Sequence, residues 1–201
     1  MKRRIQLAIA IFLMAAPAFE ARGQTAASGE TARLEVTLAY SAMRSNGSTG
    51  ACACFWMQGG KAEFSAAFGE SFSLVGELAS EHASDINSAH EDLDLVSFMF
   101  GPRYSYRRYR RITPFAQALI GGVHGFNAYF PNPLPPTNSA EGIALSAGGG
   151  LNMATSRRFS IRLVQMDYLQ THLPNNLVNR ENSLRVGAGI VFLFERPRAR
   201  F

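Results

Sequence analysis

Cysteine is nearly absent from this chain: there are two in 201 residues, Cys52 and Cys54, set as C-x-C in "TGACACFWMQGG". A zinc site needs about four ligands, and no second pair is there to supply them. A bridge across one residue is strained, although an oxidising compartment permits it. The two therefore read as loop thiols or as a small local disulfide. Long apolar runs are as scarce. One, Ile5 to Phe19, follows Lys2, Arg3 and Arg4 and is interrupted only by Gln6. It is shorter than the about 20 residues a membrane-spanning helix needs. Small residues follow it, Ala16-Pro17-Ala18 and Ala21-Arg22-Gly23. The expectation is a secretory signal peptide over residues 1–23, cut near Gly23. No Cys lies near its end, so a lipid anchor is not expected. No second run is long enough for a helical span, which excludes a helical membrane protein. An excess of one charge sign is also lacking. The formal net charge is +5, and residues 1–23 carry four basic residues and one acid of it, which leaves +2. That is no footprint for nucleic acid. No metal or other cofactor is expected.

What the chain has in quantity is alternation with a period of two, the mark of a strand with two unlike faces. In 32–42 Leu34, Val36, Leu38 and Tyr40 share one face, and Arg33, Glu35, Thr37 and Ser41 the other. In 61–68 Phe64 and Phe68 oppose Lys61, Glu63 and Ser65, and in 72–82 Phe72, Leu74 and Leu78 oppose Ser73, Glu77 and Glu81. In 93–106 Val96, Phe98, Phe100, Tyr104 and Tyr106 oppose Ser97, Met99, Arg103 and Ser105. The faces of 112–126 do not separate. In 142–154 Ile143, Leu145, Leu151 and Met153 oppose Ser146, Gly148, Gly150 and Asn152. In 158–170 Phe159, Ile161 and Leu163 oppose Ser160 and Arg162, and then the phase changes, which suggests a bulge. In 183–194 Leu184, Val186, Ala188, Ile190, Phe192 and Phe194 oppose Arg185, Gly187, Gly189, Val191 and Leu193.

These eight segments are joined by connections of 18, 3, 10, 5, 15, 3 and 12 residues. Long and short alternate throughout, as in an up-and-down meander with loops at one end and tight turns at the other. Most segments match the about 9–11 residues a transmembrane strand needs. The expected fold is all-β: an eight-stranded antiparallel up-and-down transmembrane β-barrel over 32–194. A short segment, 24–31, precedes it, and a basic tail, 195–201, follows. Closure pairs every backbone polar group without water. The apolar face then meets lipid, and the other face a narrow lumen in which small residues leave room for larger ones. Tyr104, Tyr106, Phe192 and Phe194 would belong to the turn-side aromatic girdle, and Tyr40, Phe126, Tyr129 and Tyr168 to the loop-side one. The alternative is a soluble lipocalin-type barrel with the faces reversed. It gives no reason for the alternation of loop lengths.

On these features the chain resembles the small eight-stranded outer-membrane barrels of the OmpA and OmpX type of Gram-negative bacteria. The resemblance covers about residues 30–194. It rests on strand number, loop pattern, "FGPRYSY", "TPFAQALIGGVHG" and the closing "GAGIVFLF". It implies residence in the outer membrane, contact with its lipids, and a terminal-strand signal at Phe192 and Phe194 read by the barrel-insertion machinery. The family usually ends on the aromatic residue itself. Here "ERPRARF" follows Phe194, so Phe194 and Phe201 both qualify. The peptidoglycan-binding domain of full-length OmpA does not follow, so no cell-wall tether is expected.

A fold implies no reaction. The first functional reading is a non-enzymatic barrel that serves membrane structure or holds loops 43–60 and 127–141 against a surface partner. The second is an enzyme similar to the lipid A deacylases, small barrels with a His-x-Ser pair and an acid at the surface rim. This chain has His82-Ala83-Ser84, with Glu81, Glu91 and Asp92 nearby. The third is a pore, which an eight-stranded bore filled by long side chains opposes. Phe55, Trp56 and Met57 fall in the first loop and await either lipid head groups, a partner or local packing. His124, alone in strand five, reads as a structural donor. The arginines of "RRYRR" (107–111), Arg157-Arg158 and Arg196, Arg198 and Arg200 fall on the turn side with both termini, which places that side in the periplasm. Charges in a lumen with little water must pair. Glu35, Glu77, Arg103 and Arg162 are expected to form an ion-paired cluster in one layer.

Overall fold

A computed structural model describes residues 33–46, 54–84, 92–109, 111–130, 136–174 and 179–195, with the side chains of Asn46 and Glu195 excepted. The expected signal peptide, segment 24–31, Cys52, Glu91 and the tail beyond Glu195 lie outside the described residues.

The chain forms eight strands: β1 (Arg33–Asn46), β2 (Cys54–Ala67), β3 (Phe72–Ala83), β4 (Leu93–Ser105), β5 (Ile112–Phe130), β6 (Thr137–Ala154), β7 (Phe159–His172) and β8 (Glu181–Glu195). Each pairs antiparallel with the next, and β8 closes on β1, with Leu38 opposite Ile190 and Leu34 opposite Phe194. Among the described residues there is no helix.

The faces follow the alternation. Leu38, Phe64, Leu74, Phe100, Ile120, Ile190 and Phe194 stand on the outer surface, each at least half exposed. Glu35, Thr37, Glu63, Glu77, Arg103, Arg162 and Arg185 are buried inside. A surface of large apolar side chains around a charged interior is the reverse of a water-soluble barrel, and it fits lipid. The lipocalin-type alternative is thereby excluded. β5 resolves as well: Phe115, Gln117, Leu119 and Val123 point inward, while Ala116, Ala118, Ile120 and His124 point out. Its inner face is itself mixed and its outer face rich in Ala and Gly, so polarity does not separate the two.

The phase change in β7 is a bulge. Arg162 pairs with Gly189 and Gln165 with Gly187, so Leu163 and Val164 together oppose Ala188. The extra residue turns Gln165, Asp167 and Leu169 inward. A second irregularity lies between Phe126 and Phe130 of β5, where Asn127 takes φ 63°. Asn tolerates the left-handed conformation better than most residues. Between Phe100–Ile120 and Arg103–Gln117 the β4–β5 pairing lapses at Pro102, which has no N–H to give.

The strands are longer than the alternation alone indicates, and the loops shorter. β1 runs to Asn46 and β2 starts at Cys54, so the first loop narrows from 43–60 to 47–53. The loop 127–141 narrows to 131–136, because β5 continues to Phe130 and β6 begins at Thr137. Asn, Ser and Gly in these extensions hide the alternation, but in a closed barrel a strand end keeps both neighbours and continues to pair above the lipid. Cys54 thus opens β2 opposite Asn46. Met57 is fully buried against Met43, while Trp56 stands out over the surface opposite Arg44. Neither is a loop residue.

Candidate functional site in the lumen and at the rim

Each strand sends at least one polar side chain into a single network in the turn-side and middle lumen. Lys61 Nζ donates to Asp167 Oδ2 at 3.0 Å and to Glu77 Oε2 at 3.4 Å. Arg103 donates to Glu63 Oε2 at 2.5 Å and, through Nε, to Gln117 Oε1 at 2.9 Å. Arg162 donates to the same Glu63 oxygen, to Gln165 Oε1 at 2.6 Å, to Asn152 Oδ1 at 3.0 Å and to Thr37 Oγ1 at 3.3 Å. Arg185 donates to Glu77 Oε1, to Glu81 Oε1 at 3.3 Å and to Asp167 Oδ2 at 3.4 Å. Ser41 Oγ completes the ring on Glu81 at 3.3 Å. Four carboxylates (Glu63, Glu77, Glu81, Asp167) thus face four cations (Lys61, Arg103, Arg162, Arg185), all almost wholly enclosed. The balance matters because an uncompensated charge here carries a desolvation cost of several kcal/mol.

The Phe115 ring lies under two of the guanidinium groups, 4.5 Å from that of Arg103 and 4.7 Å from that of Arg162. Such contacts contribute about 0.5–2 kcal/mol. Gly150 makes room for the ring: a Cβ there would come within 2.8 Å of Phe115 Cζ. Gly148 does the same for Asp167, whose Oδ1 would be 2.4 Å from an added Cβ. Towards the loops the lumen changes character. Met43, Met57, Leu93, Leu95, Val123, Phe130, Ala144, Leu169 and Leu173 pack there as an apolar plug.

Of the four residues expected to cluster, Glu77, Arg103 and Arg162 lie in this network. Glu35 does not. It sits nearer the turn end and accepts from Arg107 at 3.2 Å, in a pair open enough for the Arg107 side chain to keep about a quarter of its exposure. Burial lowers the Arg107 pKa from its ordinary value, and the Glu35 charge opposes that drop. Lys61, Glu63 and Arg185 stand on the inward face that the alternation assigns them, but their meeting depends on the stagger between strands, which periodicity does not carry. Asp167 is placed by the bulge alone.

The residues of the His-x-Ser reading do not share a face. Glu81 follows Ser80 into the lumen and serves Arg185, whereas His82 projects outward. Neighbours in a strand point to opposite sides, so Glu81 is not the acid for His82. That carboxylate is Asp94 of β4, with Oδ1 2.7 Å from His82 Nδ1. Asn127 Nδ2 holds the other oxygen of Asp94 at 2.5 Å. Ser84 is exposed just past the end of β3. Asp92 is exposed at the same rim. His124 pairs with Glu141 at 3.4 Å on the outer surface. Among the described residues, no group of three or more His, Cys, Asp or Glu is placed to hold a metal ion.

At the opposite edge Phe68, Phe72, Tyr104, Tyr106, Tyr109, Phe159 and Phe194 stand exposed as a turn-side belt, with Phe72–Tyr104 and Phe159–Phe192 in edge-to-face contact at 5.2 and 5.4 Å. Tyr40, Trp56, Tyr129 and Tyr168 are exposed higher up, and Tyr40 donates to Gln58 at 2.8 Å.

No protein-family model matches the chain, and no curated protein matches its sequence. Solved structures do match. The crystal structure of Neisserial surface protein A superposes with a TM-score of 0.61 at 13% identity, covering 80% of this chain and 97% of that one. Ail, the attachment invasion locus protein of Yersinia pestis, crystallised with the heparin analogue sucrose octasulfate, gives 0.55 at 15% identity, covering 82% of this chain and all of that one. The chain has the fold of the small eight-stranded outer-membrane β-barrels.

Proposed function

We propose that this barrel works without catalysis: it sits in the outer membrane with its lumen sealed, contributes to the membrane's structure, and holds its loops at the cell surface to meet a partner. The observation that carries the reading is the lumen. Ion pairs join β2, β3, β4, β7 and β8 across the bore, hydrogen bonds bring in β1, β5 and β6, and an apolar plug lies above them. A bore filled in this way leaves no path for solutes, and it makes a stiff frame for loops.

Both described ends of the barrel, Arg33 and Glu195, pair with each other on the turn side. The reading places that side in the periplasm, with Arg107, Arg108, Arg111, Arg157 and Arg158 towards the inner leaflet. During assembly the β8 aromatics Phe192 and Phe194 would be what the barrel-insertion machinery recognises. The surface contact is then carried by residues 47–53 and 131–136 and the strand ends that flank them. Labelling of intact cells tests the arrangement. A tag within 131–135 is expected to react with an impermeant reagent and one within 107–111 to stay silent; the reverse pattern overturns it.

The His82–Asp94 hydrogen bond gives the lipid-modifying alternative a specific footing. With the acid on Nδ1, Nε2 of the half-exposed ring is left to serve as a base, the arrangement that activates a hydroxyl or water. The alternative predicts fatty acid released from lipid A by the purified protein and not by H82N. The main reading predicts release from neither.

A further inference from the structure

The turn between β6 and β7 and the end of β8 enclose a cleft of about 580 Å³, lined by Arg157, Arg158, Phe159, Phe192, Leu193 and Phe194. Its walls differ in kind. On one side two consecutive arginines stand exposed, and among the described residues neither is ion-paired. On the other side are aromatic rings, Phe159 and Phe192 edge to face and Phe194 half exposed over the outer surface.

The arginines are held in place by the backbone. Ser156 Oγ accepts from the N–H groups of Arg158 at 3.3 Å and Phe159 at 3.1 Å. Ser156 N donates to Phe159 O at 2.9 Å, and Leu193 N donates to Arg158 O at 2.8 Å, which fixes the turn to β8. The two cations therefore sit on a rigid turn, at the level where the aromatic belt gives way to charge.

We propose that this cleft is a seat for one anionic phospholipid. Its phosphate would lie against Arg157 and Arg158, and the first carbons of its acyl chains against Phe159, Phe192 and Phe194. Guanidinium groups recognise phosphate in paired hydrogen bonds. Aromatic rings at the interface accept the chain where it leaves the head group. Two cations with no ion-pair partner among the described residues favour a head group of net negative charge over a zwitterion, whose own ammonium opposes them. The site rests on the membrane placement above only for which leaflet supplies the lipid; its chemistry is set by the chain itself.

Native mass spectrometry of the folded barrel in detergent tests it, with dioleoyl phosphatidylglycerol and dioleoyl phosphatidylcholine in equal amounts. One phosphatidylglycerol is expected to be retained in preference. R157Q/R158Q should lose that preference, about fivefold per arginine if each contributes the usual amount near a lipid surface. R108Q/R111Q makes the same change of charge on the neighbouring turn and should keep it. Glycerol 3-phosphate, which has the anion without the chains, should be retained far less. A heat-modifiable gel shift establishes that each variant is folded. Equal retention of the two lipids overturns the proposal, as does retention of glycerol 3-phosphate as strong as that of the lipid. If R108Q/R111Q removes as much as R157Q/R158Q, the arginines act as a diffuse ring and the cleft proposal fails, while the sidedness of the barrel stands.

Discussion

The two halves of the lumen close the same bore by opposite means. Towards the turns, closure is electrostatic: Glu63 alone receives both Arg103 and Arg162. Towards the loops, closure is steric, with Met43, Met57, Leu95, Leu169 and Leu173 in contact and few polar atoms among them. Ion pairs fix partners one by one, and a missing partner leaves a buried charge behind. Apolar packing is distributed, and a lost side chain leaves a void. The comparison teaches that one narrow barrel needs both. The charged half fixes which residues meet across the bore, and the apolar half covers the pairs on the loop side.

The largest effect expected on this account comes from Glu63→Gln. It strands two guanidinium groups and should destabilise the barrel by roughly 3–5 kcal/mol. Urea unfolding in lipid vesicles, followed by the fluorescence of the chain's single tryptophan, Trp56, measures it. Leu169→Ala in the apolar half is expected to cost roughly 2–5 kcal/mol by cavity formation, and less than Glu63→Gln in the same assay. If the apolar change costs more, the division of labour is reversed.

A cycle on Glu77→Gln and Arg185→Met should show coupling of about 0.5–3 kcal/mol, because the two touch directly. The same cycle on Glu35→Gln and Arg103→Met should be additive. Glu35 answers to Arg107 and Arg103 to Glu63. Coupling in the second cycle would mean that the network reaches the turn end. The smallest effect is expected from Glu35→Gln alone, within about 1 kcal/mol and weaker at high salt, because its pair is partly open to solvent.

These contrasts also mark what was legible in the sequence. The eight strands, their antiparallel order and their facing follow from the period of two, because lipid and lumen impose opposite polarity on alternate residues. The inward position of Glu77, Arg103, Arg162 and Arg185 is a direct consequence. Which carboxylate meets which cation is not legible, since it depends on tilt and stagger. Glu35 and Arg103 occupy similar places along their strands, yet they belong to different pairs. Asp167 becomes legible only once the β7 phase change is counted as a bulge. The apolar plug is masked because β5 carries apolar and small residues on both faces. Asp94 escapes notice because the His82 partner lies on the next strand, twelve residues on, while the acid beside it in sequence points the other way.

The central claim is that the lumen is closed. Purified protein reconstituted in a planar bilayer tests it without reference to any single pair. The account predicts a bilayer that stays electrically silent across the voltage range that porins conduct. Large, stable, porin-like current steps from a clean preparation would contradict it, and would require a bore wider than this barrel has.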